Sequence, residues 1–232
     1  VNETASANHL NRRAYNFSEY EARDRFFAEH KAFFEGHVYD FGCGEAPFRS
    51  FVEACGGRYI GIDWGSSQHD VAADIIADLN NTVPLPDACA DTVMSISVLE
   101  HLHSPHRMLS EAHRVLRPGG RLVLQVPWMW RVHEEPHDYF RFTPFGLQHL
   151  LQQAGFKSVE VTPTNGVFGM LSLKLNYASR RLVRGPTPVR RLVTAALTPS
   201  WYISQRAGQM LDRFDRTPMK ESSSYFAVAT KG

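Results

Sequence analysis

The 232-residue chain lacks the marks of several large protein classes. It has three cysteines, Cys43, Cys55 and Cys89, set far apart. Three spaced thiols make neither a disulfide framework nor a zinc cluster, and they suit a reducing compartment. No apolar run reaches the roughly 18 residues of a membrane span. No secretory signal is visible, so a cytoplasmic location is expected. Charge of one sign is not in excess overall. The formal net charge is +1, which removes any global case for nucleic acid. Internal repeats and low-complexity tracts are absent.

What is present is enough for a sizeable core: 43% of the residues are hydrophobic. The stretch 19–35 carries Tyr20, Arg23, Phe27, His30 and Phe34 at helical spacing and predicts an amphipathic helix ahead of the main domain. "HVYDF" reads as a strand buried on both faces, ending at Gly42. Pro47 suits the first turn of a helix that carries Phe48, Phe51, Val52 and Cys55 and stops at Gly56-Gly57. "RYIGID" is a second strand, ending at Asp63, and a short strand is expected near Asp78. "DTVMSISVL" is a strand, Ser104-Pro105 caps a helix closed by "RPGG", and "RLVLQVP" is a strand. Thr143-Pro144 caps another helix, and "SVEVTPT" and "SYFAVATK" are strands. Alternating strands and helices predict a largely parallel sheet covered on both faces. Ligands of such sheets bind outside the carboxyl ends of the strands. Asp40 to Ala46, Asp63, Asp78 and Ser97 to His101 all fall at such ends.

The glycine turn "DFGCGEAPF" lets backbone approach a ligand with no Cβ in the way. A dinucleotide fingerprint needs a third glycine after Gly42 and Gly44, and Pro47 stands in that place, so a pyrophosphate cradle is disfavoured. Asp63, about 20 residues on, stands where an acid bonds ribose hydroxyls. The pair suggests a nucleoside held without phosphates.

Four segments, "VYDFGCGEA", "YIGID", "ADLNNTVPLPDACADTVMSISVLEHL" and "HRVLRPGGRLVLQVP", together resemble class I S-adenosylmethionine-dependent methyltransferases of the methyltransferase type 11 group, over about residues 36–164 and the last strand. The resemblance implies a Rossmann-like seven-stranded, mostly parallel sheet with an antiparallel last strand. It implies that Gly42, Cys43 and Gly44 lie against the methionine part of S-adenosyl-L-methionine, with Asp40 orienting its amino group. Asp63 would take the ribose hydroxyls and Trp64 would flank the adenine. Asp78 and Leu79 would face the ring, and Ser97 and Val98 would border the sulfonium. Ala46 stands where a third glycine is usual.

For the acceptor, "WMWRVHEEPHDYFRFTP" is the richest polar stretch. Methyl transfer from a sulfonium is an in-line displacement that depends on alignment, with a base helping when the acceptor is a hydroxyl. His137 paired with Asp138 is the first candidate for that base and His133 the second, while Arg141 would bind an anionic group. The alternative is that these residues only pin the loop to the next helix. "HEEPH" matches a zinc-protease pattern, but Pro136 breaks the helix that pattern needs and no third ligand is suggested, so no metal is expected. Glu100 and His101 border the crevice, making His101 a secondary candidate. Phe26, Phe27, Phe33 and Phe34 either roof an acceptor pocket or, the favoured reading, pack a helix on the sheet.

Between residues 165 and 222 there are ten Lys/Arg and three Asp/Glu, in apolar helical pieces. That composition fits a membrane-surface contact. It also fits a substrate-covering subdomain or a homodimer contact, which is the reading preferred. The chain thus divides into an N-terminal helical cap (1–37), a core (38–164 with 223–232) and a basic helical insertion (165–222). The expected function is O- or N-methylation of a small-molecule metabolite, glycan or lipid precursor. An RNA- or protein-modifying enzyme and a non-catalytic cofactor-binding module are the alternatives. The absence of an asparagine/aspartate-proline-proline-aromatic motif disfavours nucleobase nitrogens.

Overall fold

The architecture was established from a computed structural model, which describes residues 4–7, 9–65 and 71–232. Residues 1–3 and 8 of the expected N-terminal cap lie outside that set. In chain order the main elements are α1 (Phe17–Glu29), β1 (Gly36–Phe41), α2 (Arg49–Ala54), β2 (Gly57–Asp63), β3 (Ile75–Ile76), β4 (Ala90–Ile96), α3 (Pro105–Val115), β5 (Leu116–Pro127), α4 (Pro144–Gln153), β6 (Ser158–Pro163), α5 (Val167–Ser179), α6 (Thr187–Leu211) and β7 (Ser224–Thr230).

The strands form one seven-stranded sheet of order β3-β2-β1-β4-β5-β7-β6. Only β7 is reversed, pairing antiparallel with both β5 and β6. Successive residues of the central strands feed two cores. Val93, Leu122, Leu124 and Tyr225 join Met108, Leu109, Leu147 and Leu151 of α3 and α4. Met94, Val123 and Phe226 join Phe26, Phe27, Phe51 and Val52 of α1 and α2. A sheet covered on both faces is why these strands read as continuous apolar runs.

Several local expectations shift. The first helix ends at Glu29 and a short 3₁₀ turn, Lys31–Phe34, follows it. The core begins at Gly36, two residues inside the expected cap. Phe26, Phe27 and Phe34 are buried in the α1/α2 core, with Phe33 packed against it, so the aromatic cluster holds the helix to the sheet and roofs nothing. Pro47 lies before α2 rather than inside its first turn. Ala46 adopts φ +51°, the left-handed conformation that a glycine takes most readily. Thr143 caps α4 as expected, its hydroxyl accepting from Gly146 N at 3.0 Å. Ser104 stands at the start of α3 but its side chain makes no capping bond; it meets His103 Nδ1 at 2.9 Å instead.

The basic insertion is a two-helix arm, α5 and α6, rooted between two neighbouring strands. Its base is fixed by the Asp212 carboxylate, which accepts from the amides of Gly166, Phe168 and Gly169 at the start of α5. An acid there satisfies otherwise orphaned helix amides and the helix dipole. One side of the arm packs on the N-terminal segment. Gln205 accepts from Ser18 N and Oγ and donates to Ala14 O, and Asn176 donates to Tyr15 O. The other side leaves Phe168, Leu171, Leu175 and Leu182 exposed at intervals of three, four and seven, and Val189, Leu192, Ile203 and Met210 exposed on one stripe of α6. Among the described residues no helix is long and apolar enough to cross a membrane.

Candidate functional site

The carboxyl ends of β1, β2 and β4 open into a cavity of about 510 Å³. All ten residues singled out for cofactor contact line it: Asp40, Gly42, Cys43, Gly44, Asp63, Trp64, Asp78, Leu79, Ser97 and Val98. At its floor the turn after β1 is drawn tight. Gly42 has φ +84°, and a Cβ there would overlap the side chain of Val98. Gly44 has φ +51°, and nothing lies within 4 Å of where its Cβ would stand, so that space belongs to the cavity. Ser97, just past β4, also has a left-handed backbone, at φ 58°. Non-glycine residues hold such a conformation only where the surroundings enforce it.

Three carboxylates shape this end. Asp63 Oδ2 accepts from Gly44 N at 2.7 Å and Oδ1 from Trp64 N at 2.8 Å, joining the glycine turn to the end of β2. Asp40 is 2% exposed and accepts from the Tyr59 hydroxyl at 2.6 Å. Burial raises its pKa to about 7, against the pull of that hydrogen bond. Asp78 is folded into its own turn, accepting from Asn80 N and from the Asn80 and Asn81 amides. Burial pushes the Cys43 thiol well up, so it is an inert small side chain of the turn.

The opposite wall comes from the stretch after β5. Residues 131–141 form a strap with no helix in it, which removes the protease reading of "HEEPH". Tyr139 N and Phe140 N both donate to the carbonyl of Glu100, tying the strap to the 3₁₀ turn Leu99–His101 after β4. His133 and His137 line the cavity, while Asp138 and Arg141 stand behind it. Asp138 does not partner His137, contrary to the expected pair. It accepts from His133 N at 2.9 Å, lies 3.2 Å from His133 Nδ1, and is gripped by both terminal nitrogens of Arg141. Burial opposes ionisation there, yet Arg141 and His133 hold the Asp138 carboxyl far below its usual range. Arg141 is thereby committed to the clasp, also donating to Arg131 O, and is not presented to an anionic acceptor. His137 Nδ1 meets the Tyr139 hydroxyl at 3.0 Å, and its ring stands edge-on to Trp64 at 5.2 Å. Burial, then the neighbouring His101, lowers the His133 pKa. Glu100 is fully buried, and burial raises its carboxyl to about 8.

The remaining wall escaped the sequence reading. Glu19, Tyr20 and Arg23 of α1, Trp130, and Tyr177 of the arm face the same cavity. Beneath them Arg23 Nε donates to Gln125 Oε1 at 2.6 Å, Gln125 donates to Glu19, and Glu19 accepts from Ser223 and Ser224. A buried arginine in an otherwise apolar helical stripe was the available signal, and its partners 100 residues away were not.

The arrangement suits a cationic nucleoside. Acids (Asp40, Asp63, Asp78, Glu19) outnumber arginines around it, the Gly44 face is open, and among the described residues no lysine lines it. A parallel sheet with one reversed strand, a glycine turn without a third glycine and an acid closing β2 define the class I transferase architecture that the resemblance implied. The family profile described as a methyltransferase domain matches residues 39–124. A probable S-adenosylmethionine-dependent methyltransferase of Mycolicibacterium smegmatis is 30% identical over 205 residues, covering 79% of this chain and 75% of that protein. A ubiquinone biosynthesis O-methyltransferase of Cereibacter sphaeroides is 26% identical over 155 residues, 55% of this chain and 63% of that one. Among solved structures, an S-adenosylmethionine-dependent methyltransferase from Archaeoglobus fulgidus superposes with a TM-score of 0.58 at 18% identity, covering 94% of each chain, a likeness of fold. The chain belongs to the S-adenosylmethionine-dependent methyltransferases. Its cofactor is S-adenosyl-L-methionine.

Proposed function

We propose that this enzyme methylates an oxygen or nitrogen of a small molecule, of the metabolite, glycan or lipid-precursor kind. One observation carries this reading: the ten cofactor candidates and the histidines of the strap face each other across a single cavity. The aromatic side chains of Tyr20, Trp130 and Tyr177 close round it in a way that suits a small acceptor better than a macromolecule.

When bound, the cofactor supplies an electrophilic methyl group on a sulfonium. The chain's own residues position it. Gly42, Cys43 and Gly44 take its amino-acid end and Asp40 its ammonium. Asp63 takes the ribose hydroxyls, Trp64 flanks the adenine beside Asp78 and Leu79, and Ser97 and Val98 border the sulfur. The acceptor lies against the strap, with His137 as the base for a hydroxyl and the Asp138–Arg141 clasp holding the strap rigid. Alignment is the main service rendered. Calorimetry with S-adenosylhomocysteine tests the cofactor half. Asp63→Ala should lower affinity at least about tenfold, given about 1.5–3 kcal/mol for each hydrogen bond to a charged group. An unchanged affinity would remove the assignment. A radiolabelled-methyl screen of small hydroxyl and amine acceptors tests the other half, and transfer only to RNA or protein would overturn it.

For a partner, we infer that the outer face of the arm meets an anionic membrane surface. Leu192 and Ile203, 72% and 67% exposed, share α6 with the exposed Arg190 and Arg191, whereas Arg206 of the same helix is taken up by Glu21 of α1. Basic helices with one exposed apolar stripe lie on such surfaces. Vesicles containing phosphatidylglycerol should float the protein at low salt and release it at high salt. Failure to float at low salt, or a dimer that buries this stripe in sedimentation, would end the idea.

A further inference from the structure

The histidines of "HEEPH" do not face a common ligand, but the fold gives His133 other company. Glu100 and His101 come from the turn after β4, more than thirty residues earlier, and one ligand atom from each of Glu100, His101 and His133 lies within 4.8 Å of the other two. The groups behind them set the direction of each ring. His101 Nδ1 is 2.7 Å from the carbonyl oxygen of His137 and so donates to it, which leaves a lone pair on Nε2. That Nε2 is buried, lacks a hydrogen-bond partner among the described residues, and sits 3.7 Å from Glu100 Oε1 and 3.8 Å from Glu134 Oε2. His133 is held the same way, its Nδ1 against an Asp138 carboxylate that Arg141 fixes in place. An imidazole that donates backwards to a carbonyl or carboxylate presents a basic lone pair forwards, as metal-bound histidines do.

Glu100 supplies the second, independent observation. It is fully buried, and among the described residues neither carboxylate oxygen has a hydrogen-bond partner in another residue. Buried polar groups are almost always satisfied, so two orphaned oxygens facing an orphaned imidazole nitrogen ask for a shared partner. A carboxylate and two imidazole lone pairs turned toward one another are complementary to a cation, whose binding would displace the proton that burial otherwise keeps on Glu100. The donor set, two imidazoles and a carboxylate, suits zinc, iron(II) or manganese and is too nitrogen-rich for calcium or magnesium.

We propose that Glu100, His101 and His133 hold a divalent transition-metal ion in the wall of the cavity, with Glu134 as a further oxygen ligand. Ligands about 2.0–2.2 Å from such an ion stand roughly 3–3.5 Å apart, so the side chains draw together by about an ångström on loading. The strap can supply that movement, because Glu134 is 42% exposed at its side chain. All four residues line the cavity, so the ion's open positions face the acceptor. This deepens the reading given above: the acceptor it selects is an oxygen compound, a hydroxyl with a second oxygen nearby, able to coordinate the ion and give up its proton more easily.

The full-length protein, dialysed against EDTA and then freed of chelator, is titrated with cobalt(II) and followed by visible d–d absorption and calorimetry, with zinc as competitor. One cobalt per chain is expected, with a d–d spectrum that zinc abolishes. Glu100→Gln and His133→Asn should each weaken cobalt binding by at least about 100-fold, beyond the 10–100-fold typical of residues that only orient ligands. His106→Asn, exposed on α3, should leave it unchanged. No stoichiometric spectrum from the wild type, or equal affinity in the wild type and both ligand variants, would overturn the proposal. Should Glu100→Gln fail to fold, His133→Asn decides. S-adenosylhomocysteine calorimetry on the stripped wild type separates the two readings: lost cofactor binding counts against the methyltransferase site, and the cobalt spectrum alone judges the metal.

Discussion

Replacing Asp40 with asparagine should stabilise the free protein at neutral pH while weakening its hold on the cofactor. The carboxyl is 2% exposed, and burial raises its pKa from 3.8 to about 7, with Asp63 adding to the rise. The unfolded chain therefore gives up this proton near pH 4, whereas the folded chain keeps it to about pH 7. Between those values the folded state binds more protons, so stability falls as pH rises. At about 1.4 kcal/mol per pH unit, the loss reaches at most about 4 kcal/mol by pH 7 and grows no further above it. Asparagine carries no such cost and still offers an oxygen to the Tyr59 hydroxyl. Urea unfolding of both proteins from pH 4 to 8 should show the variant's advantage growing across this window. Parallel curves would refute the reasoning. With the cofactor's ammonium beside Asp40, as proposed, the preference would reverse, because a neighbouring cation favours the carboxylate. Binding to the wild type at pH 6 should thus release close to one proton, visible as a buffer-dependent calorimetric heat, and binding to the variant should release none. No release from the wild type would mean that no cation settles beside Asp40.

Gly44→Ala should cost about 1 kcal/mol for its left-handed backbone, yet lose S-adenosylhomocysteine binding, because the added methyl enters the cavity. Gly42→Ala adds an overlap with Val98, and a further loss of about 1–3 kcal/mol is expected in thermal unfolding. His137→Ala should slow turnover about 10²-fold or more with unchanged cofactor affinity, and full activity in the acceptor assay would exclude it as the base. Arg141→Ala strands the Asp138 carboxylate, 2% exposed at its side chain, and should destabilise by about 3 kcal/mol in denaturant unfolding. A near-neutral result would show that the clasp is dispensable.

The cofactor end of the site was legible because its signals are local. Gly42 and Gly44 mark a backbone that only glycine adopts easily, and Asp63 marks a strand end that the apolar run of β2 already fixed. The acceptor end was not, because its contacts join distant segments. His101 meets His133 only because the strap folds back onto the carbonyl of Glu100. Asp138 chose His133 over its neighbour His137 through a backbone amide that no spacing rule reveals. Tyr177 reaches the cavity from an arm whose composition announced only charge and apolar surface. Arg23 read as one more member of the helical stripe and Glu19 carried no signal, because Gln125 and Ser224, which meet them, come from distant strands.

The arm leaves the sheet at Pro163 and re-enters at Tyr225, and those two residues face each other in register. Its stalks therefore start about one strand spacing apart, a gap that a hairpin of two to five residues would bridge. Some sixty residues are thus detachable in principle: excision and replacement by a tight turn would leave all seven strands their partners. What such a trimmed protein would surrender is Tyr177 in the cavity wall and the arm's outward basic face, so under the function proposed above one portable module would bear on both the acceptor and the membrane contact.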